Sequence, residues 1–371
     1  MELSHESVPV GEETTREDLS VAPHSRTPAL PHSSVSSRTS HLAPRTRSRF
    51  APSPTGELHL GNARTALLAW LHVRSVGGEF IIRVEDLDRG RVRPGILEAQ
   101  LADLRWLGLD WDEGPDVGGR FGPYLQSQRR ADYEDALNRL SRAGRLYECV
   151  CTRREIAEAA SAPHDNGDEG PRYPGTCDPR TPATESLHGR SDRNAHALRF
   201  RVLPGAVTFH DILQGDQTFE PYEEVGDFVV RRKDGVAAYQ LAVVVDDAAM
   251  EITHVVRGAD LLSSTARQVL LYEALDLTPP VWLHVPLLLD DRGERMAKRY
   301  GAITLAELRA SGVNPGRVVG WLAESCGLAA PGENLQPADL VTRFSLDLLP
   351  RESTLLSSPP FGDDLSGDYQ A

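Results

Sequence analysis

The residues of this 371-residue chain that could do chemistry fall in a few short segments. The first is Glu57-Leu58-His59-Leu60-Gly61-Asn62. A helix starting there presents unpaired backbone N–H groups and a partial positive charge, and a glycine at its start lets a phosphate come close. His59 adds a hydrogen-bond donor for a phosphoryl oxygen. The second segment is Arg295-Met296-Ala297-Lys298-Arg299. Lysine occurs only at Lys233 and Lys298, so a lysine set in this loop is a selective placement. Its ammonium could neutralise the charge that builds on a triphosphate as a carboxylate attacks the α-phosphorus. Together these segments point to adenylate formation from ATP with Mg2+. The chain has no Gly-x-x-x-x-Gly-Lys-[Ser/Thr] loop, which excludes phosphate binding of the Walker type.

Another constellation is Cys149-Val150-Cys151 followed by Cys177. Three thiolates suit one structural, tetrahedral Zn2+, with Tyr173, His164 and His188 as competing fourth ligands. Cys326 lies on an amphipathic stretch and reads as packing. Four cysteines in a chain of this length do not make a disulfide framework and fit a reducing compartment.

The elements that must position these groups follow from pattern. Residues 1–47 are rich in Ser, Thr, Pro and His and cannot offset their ordering entropy, so a disordered leader is expected. Ala63, Ala66, Leu67, Trp70 and Leu71 share one helical face after the His-Leu-Gly-Asn turn. A strand over 80–84 ends on Glu85, and helices carrying Leu97, Leu101 and Leu104, then Tyr133, Leu137 and Leu140, stop at Gly108 and Gly144. Residues 147–195 break this pattern and read as a small zinc-binding insertion. Regular structure resumes over 227–231 and 237–245, then a strand at 252–257, a helix at 263–275 and a strand at 282–288. Two βαβ units of this kind describe an open parallel sheet with helices on both faces. Ligands then bind at the carboxyl ends of the strands, where His59, Glu85, Arg257 and the Lys298 loop would meet. A short helical segment is expected over 302–351 and a disordered tail over 352–371.

The formal net charge of −14 argues against broad binding to nucleic acid, although a local arginine face remains open. No apolar run approaches the roughly 18 residues of a membrane span, and the N-terminus lacks the order of a secretory signal. A cytoplasmic protein without a membrane partner, acting as a monomer, is expected.

Residues 49–62, reading RFAPSPTGELHLGN, and 295–299, reading RMAKR, resemble the two signatures of class I aminoacyl-tRNA synthetases in their glutamyl branch. RVEDLDR (83–89), DFVVRRKDGVAAYQLAVVVDD (227–247) and THVVRGADLL (253–262) are similar to that branch as well. The chain departs from the signatures at Asn62, where histidine is usual, and at Ala297 and Arg299, where serines are usual. The resemblance, over about residues 48–350, implies a Rossmann-like α/β catalytic domain split into 48–146 and 196–301 by the insertion. It implies ATP at His59, Gly61, Asn62 and Lys298, with His59 and Lys298 catalytic. It implies the amino acid at Arg49, Phe50, Ala51, Pro52, Ser53, Glu85, Tyr239 and Arg257. Glu85 suits an α-ammonium and the arginines suit carboxylates, which favours L-glutamate over glutamine. The short paralogues of the branch also carry the Cys-x-Cys, Tyr-x-x-x-Cys arrangement, which implies Tyr173 as the fourth metal ligand.

Only about 70 residues follow the lysine loop, so no large anticodon-reading region is expected. The resemblance is therefore to the short glutamyl-queuosine tRNA(Asp) synthetase family, and implies tRNA(Asp) bearing queuosine as acceptor. The alternatives are a truncated glutamyl-tRNA synthetase charging a tRNA 3′ end and a catalytically silent RNA-binding paralogue.

Overall fold

The computed structural model describes residues 45–159, 172–179, 196–289, 293, 303–355 and 361. Lys298, His164 and His188 lie outside the described residues. Strand β1 (Arg47–Phe50) leads through the Pro-Ser-Pro-Thr-Gly turn into helix α1 (Leu60–Arg74), and β2 (Glu79–Ile82) returns parallel to β1 with Phe50 opposite Ile82. Next come α2 (Ile96–Trp106), α3 (Arg130–Arg142), β3 (Leu146–Cys149) and α4 (Arg153–Ala159). The chain resumes with β4 (Ala197–Phe200), the hairpin β5 (Val207–Asp211) and β6 (Gly215–Phe219), α5 (Pro221–Glu224) and β7 (Phe228–Arg231). The second crossover is α6 (Tyr239–Ala249), β8 (His254–Gly258), α7 (Leu262–Ala274) and β9 (Val281–Val285). The last elements are β10 (Leu288–Leu289), α8 (Leu305–Ala310), α9 (Pro315–Glu324), α10 (Pro337–Leu340) and β11 (Thr354–Leu355).

The main sheet has the order β2-β1-β8-β9-β5-β6 and is parallel except for the β5–β6 pair. Its strands β2, β1, β8 and β9 are covered on both faces, as parallel sheets require, whereas β5 and β6 alternate toward solvent. Phe80 and Ile82 join the core with α1 and the C-terminal helices, while Ile81 between them joins the core with α3, α6 and α7. The face of α1 read from the sequence is buried: Leu67 is 1% exposed and Leu71 0%. Truncating either to alanine costs about 2–5 kcal/mol by lost transfer energy and the cavity left behind.

The structure corrects the sequence reading in places. The sheet is not wholly parallel, because Asp211 closes a tight turn by accepting the backbone N–H groups of Leu213 and Gln214, sending β6 back antiparallel. Residues 228–231 do not join the main sheet; β7 pairs antiparallel with β4, which pairs with β3, in a separate sheet. The reason is visible in its burial, since Phe228 and Val230 point inward and their neighbours are half-exposed, the alternation of a strand covered on one face. Both expected terminal boundaries are crossed by strands: Arg47 opens β1, and Thr354–Leu355 run parallel to Leu288–Leu289. No described helix is long and apolar enough to cross a membrane.

Candidate active site

A crevice of about 460 Å³ opens at the carboxyl ends of β1, β8 and β9. Arg49, Phe50, Ala51, Ser53, His59, Gly61, Asn62, Glu85, Tyr239 and Arg257 all line it. Of the other residues expected there, Pro52 lines an adjoining groove, and its carbonyl accepts the Glu85 N–H at 3.0 Å. That bond ties the end of β2 to the turn after β1. Lys298 lies outside the described residues, but its flanks are placed. Leu288 lines the crevice, and beyond Lys298 Leu305 donates its N–H to the Leu58 carbonyl at 2.8 Å while Thr304 is bridged to His59.

The His-Leu-Gly-Asn turn explains its own residues. His59 has extended backbone and precedes the first turn of α1, where its N–H donates to Asn62 Oδ1 at 3.3 Å. A Cβ on Gly61 would meet His59 Nδ1 at 3.3 Å, so glycine lets the imidazole lie over the helix start. Asn62, the departure from the signature, thus has a local structural task.

Behind the crevice sits a buried charge frame. Arg49 forks onto Asp247, Nε to Oδ1 at 2.9 Å and Nη2 to Oδ2 at 3.2 Å, and Arg83 donates to the same carboxylate. Asp246 accepts from Arg129 Nε at 2.6 Å, Gln126 Nε2 at 2.8 Å and the Tyr133 hydroxyl at 2.9 Å. Helix α6 makes this arrangement: Asp246 and Asp247 stand seven and eight residues after Tyr239, two turns along the same side. Burial alone would raise the Asp247 carboxyl, but Arg49 and Arg83 outweigh it and hold it below the usual carboxylate range. Glu85 goes the other way: burial, with Asp247 and Asp246 nearby, raises it despite Arg83 and Arg49. A cationic ligand beside Glu85 would restore its charge. The crevice therefore offers one carboxylate that wants a cation and two guanidiniums, Arg49 and Arg257, at separate points.

Arg257 is also held from behind. Its Nε donates to His284 Nε2 at 3.0 Å and its Nη2 to Thr265 Oγ1 at 2.7 Å. His284 in turn contacts Asp211 Oδ2 through Nδ1 at 2.6 Å. Sequence reading missed Arg83, Asp246, Asp247, Asp211, Thr265 and His284. The Val-Val-Val-Asp-Asp run was the usable signal, because two adjacent carboxylates in an apolar helix demand buried partners.

The cysteine cluster lies on the second sheet. Cys149, Cys151 and Cys177 place their sulfurs within 4.8 Å of one another, with Cys151 and Cys177 3.4 Å apart. A tetrahedral Zn2+ with Zn–S bonds of about 2.3 Å sets sulfurs about 3.8 Å apart, so this donor set fits. The Tyr173 hydroxyl stands 3.5 Å from Cys149 Sγ and 4.0 Å from Cys151 Sγ and accepts the Cys177 N–H at 2.8 Å. Hydrogen bonds from the Cys151 and Cys177 thiols lower the Cys149 thiol against its burial. Among the described residues the local core consists of Tyr147, Cys149, Cys151 and Tyr173, with Ile156 and Cys177 packed against it. Lys233, the other lysine, donates to the Val150 carbonyl at 2.6 Å inside the Cys-Val-Cys run.

Residues 45–333 match the family described as tRNA synthetases class I (E and Q), catalytic domain. A protein of Symbiobacterium thermophilum named glutamyl-Q tRNA(Asp) synthetase is 56% identical over 304 residues, covering 82% of this chain and 94% of that protein. One of the same name from Nitratidesulfovibrio vulgaris is 50% identical, covering 82% and 93%. Among solved structures, a glutamate tRNA ligase from Elizabethkingia meningosepticum, in complex with its amino acid, is similar with a TM-score of 0.70 and 29% identity, covering 84% of this chain and 67% of that one.

Proposed function

We propose, for a chain that belongs to the family of class I tRNA synthetases for glutamate and glutamine in their catalytic domain, that it activates L-glutamate with ATP and esterifies it to the queuosine base of tRNA(Asp). The observation that carries the reading is the crevice itself, in which Glu85 faces Arg49 and Arg257 beside a helix start. Glu85 takes the α-ammonium, and the two arginines take the two carboxylates of glutamate. ATP lies over His59, Gly61 and Asn62, with Mg2+ screening its phosphates. An oxygen of the glutamate α-carboxylate attacks the α-phosphorus, the bond to the bridging oxygen breaks, and pyrophosphate leaves. Lys298 stabilises the charge of the pentavalent state, and no protein nucleophile is required. An acceptor hydroxyl on the tRNA then attacks the activated carbonyl and releases AMP.

The choice of queuosine is supported by the names of the relatives that this chain spans over 94% and 93% of their length. The cysteines, with Tyr173 as fourth ligand, hold a structural Zn2+ that staples the second sheet. The protein works in the cytoplasm. Glutamate-dependent exchange of pyrophosphate into ATP, without tRNA, tests the first step. Exchange with glutamate and none with glutamine is expected; no exchange with glutamate overturns the reading.

A further inference from the structure

We propose that His284 is a positioning residue which, with Asp211 behind it and Thr265 beside it, orients the Arg257 guanidinium so that this end of the crevice accepts a carboxylate and refuses an amide. The inference rests on the reading that the crevice activates glutamate.

A guanidinium donates and cannot accept. The 3.0 Å contact from Arg257 Nε therefore requires an unprotonated His284 Nε2. The ring proton is then on Nδ1, where it is donated to Asp211 Oδ2 at 2.6 Å. Asp211 is itself fixed, since Oδ2 also accepts the His284 backbone N–H at 3.0 Å and Oδ1 accepts the N–H groups of Leu213 and Gln214. The chain of donors thus runs in one direction from the β8 arginine through β9 to the turn after β5. His284 is fully buried, and its charged neighbours come from three strands: Asp211, Arg257 and Arg49. Burial pushes its pKa down to about 4; Asp211 opposes this while Arg257 and Arg49 reinforce it, so the ring stays a neutral acceptor.

With Nε on His284 and Nη2 on Thr265, the nitrogen left for a ligand is Nη1, which is buried and has no hydrogen-bond partner. Arg257 lines the crevice and is only 5% exposed, so this donor pair meets a ligand largely away from water. A carboxylate brings acceptors alone, whereas a carboxamide also brings an NH2 that would set donors against donors. Buried polar groups left unmatched are what lets a site reject a near-isostere strongly.

The test is pyrophosphate exchange with wild type, His284→Asn and His284→Gln, reading kcat, KM for glutamate, KM for ATP and the preference for glutamate over glutamine. Asparagine can keep a donor toward Asp211 but offers Arg257 no acceptor, whereas glutamine can place its carbonyl near the Nε2 position. Expected is a rise of at least tenfold in the glutamate KM and a matching loss of preference in His284→Asn, with the ATP KM within twofold, and recovery of most of the loss in His284→Gln. A His284→Asn enzyme with wild-type glutamate KM and preference overturns the proposal. So does an equal loss in both variants through kcat, or through both KM values, which marks a merely structural histidine. Nitrogen NMR of the wild type covers the case in which both variants misfold: Nε2 of His284 must remain unprotonated from pH 6 to 8, and a proton there overturns the tautomer. Wild type without glutamate-dependent exchange would instead be a failure of the underlying glutamate reading, distinguishable because the imidazole signature is independent of it.

Discussion

Arg49 and Asp247, 198 positions apart in sequence, meet as a side-on fork in which both side chains are 4% exposed. The fork uses Nε and Nη2 of Arg49, and Arg49 lines the crevice, so Asp247 fixes the arginine at the crevice wall as well as neutralising it. Arg83 shares the carboxylate. Removing Asp247 would strand the buried Arg49 guanidinium and leave Arg83 only Asp246 at 3.7 Å and Glu85 at 3.5 Å, and breaking a buried pair from one side costs about 3–5 kcal/mol. Asp247→Ala should lower the unfolding free energy by that amount in urea titration. A loss under about 1 kcal/mol would mean that the frame does not depend on this carboxylate.

If Glu85 takes the α-ammonium as proposed, it should carry the pH dependence of amino-acid binding. Its folded carboxyl is raised, burial being the largest cause, and the charged form is the one that pairs with an α-ammonium. As pH falls through that raised value Glu85 takes up a proton, and the KM for glutamate should rise. Glu85→Gln should show a high KM that no longer changes over the same range. A wild-type KM that stays flat into the ordinary carboxylate range contradicts this role.

Metal analysis of the purified protein should find one zinc per chain. Cys149→Ser should lose the metal and lower the melting temperature. Tyr173→Phe keeps three thiolates and should retain zinc with an affinity reduced at least as much as the loss of a residue that merely supports a ligand, about 10–100-fold. Undiminished zinc affinity in Tyr173→Phe would exclude the phenol from the donor set.

Lys298→Ala should slow pyrophosphate exchange at least tenfold, about 1.4 kcal/mol of barrier, while leaving the urea midpoint in place. An unchanged exchange rate would remove the lysine from the account.

The parts of the site built from local sequence were legible without a structure. The His59–Gly61 turn, the face of α1 and the Cys149–Cys151 pair each depend on residues a few positions apart. The crevice brings together most of the residues expected there, Arg49, Glu85, Tyr239 and Arg257 among them, while Pro52 lines the adjoining groove and Lys298 lies outside the described residues. What escaped was the layer behind them. Asp247 pairs with Arg49 and Arg83, and His284 joins Asp211 to Arg257, only after the sheet has brought β1, β5, β8 and β9 side by side. No periodicity signals a contact made across strands so far apart in the chain. The β7 strand was misplaced for a related reason: Phe228 and Val230 are apolar enough for either sheet, and only its pairing with β4 decides between them.

The central claim is the transfer of activated glutamate to a modified tRNA base, and radiolabelled glutamate offered to tRNA(Asp) with and without queuosine tests it most directly. The account predicts stable incorporation into the queuosine-bearing tRNA(Asp) and none into the queuosine-free form. Equal labelling of both, or labelling of tRNA(Glu) at its 3′ end, would contradict it.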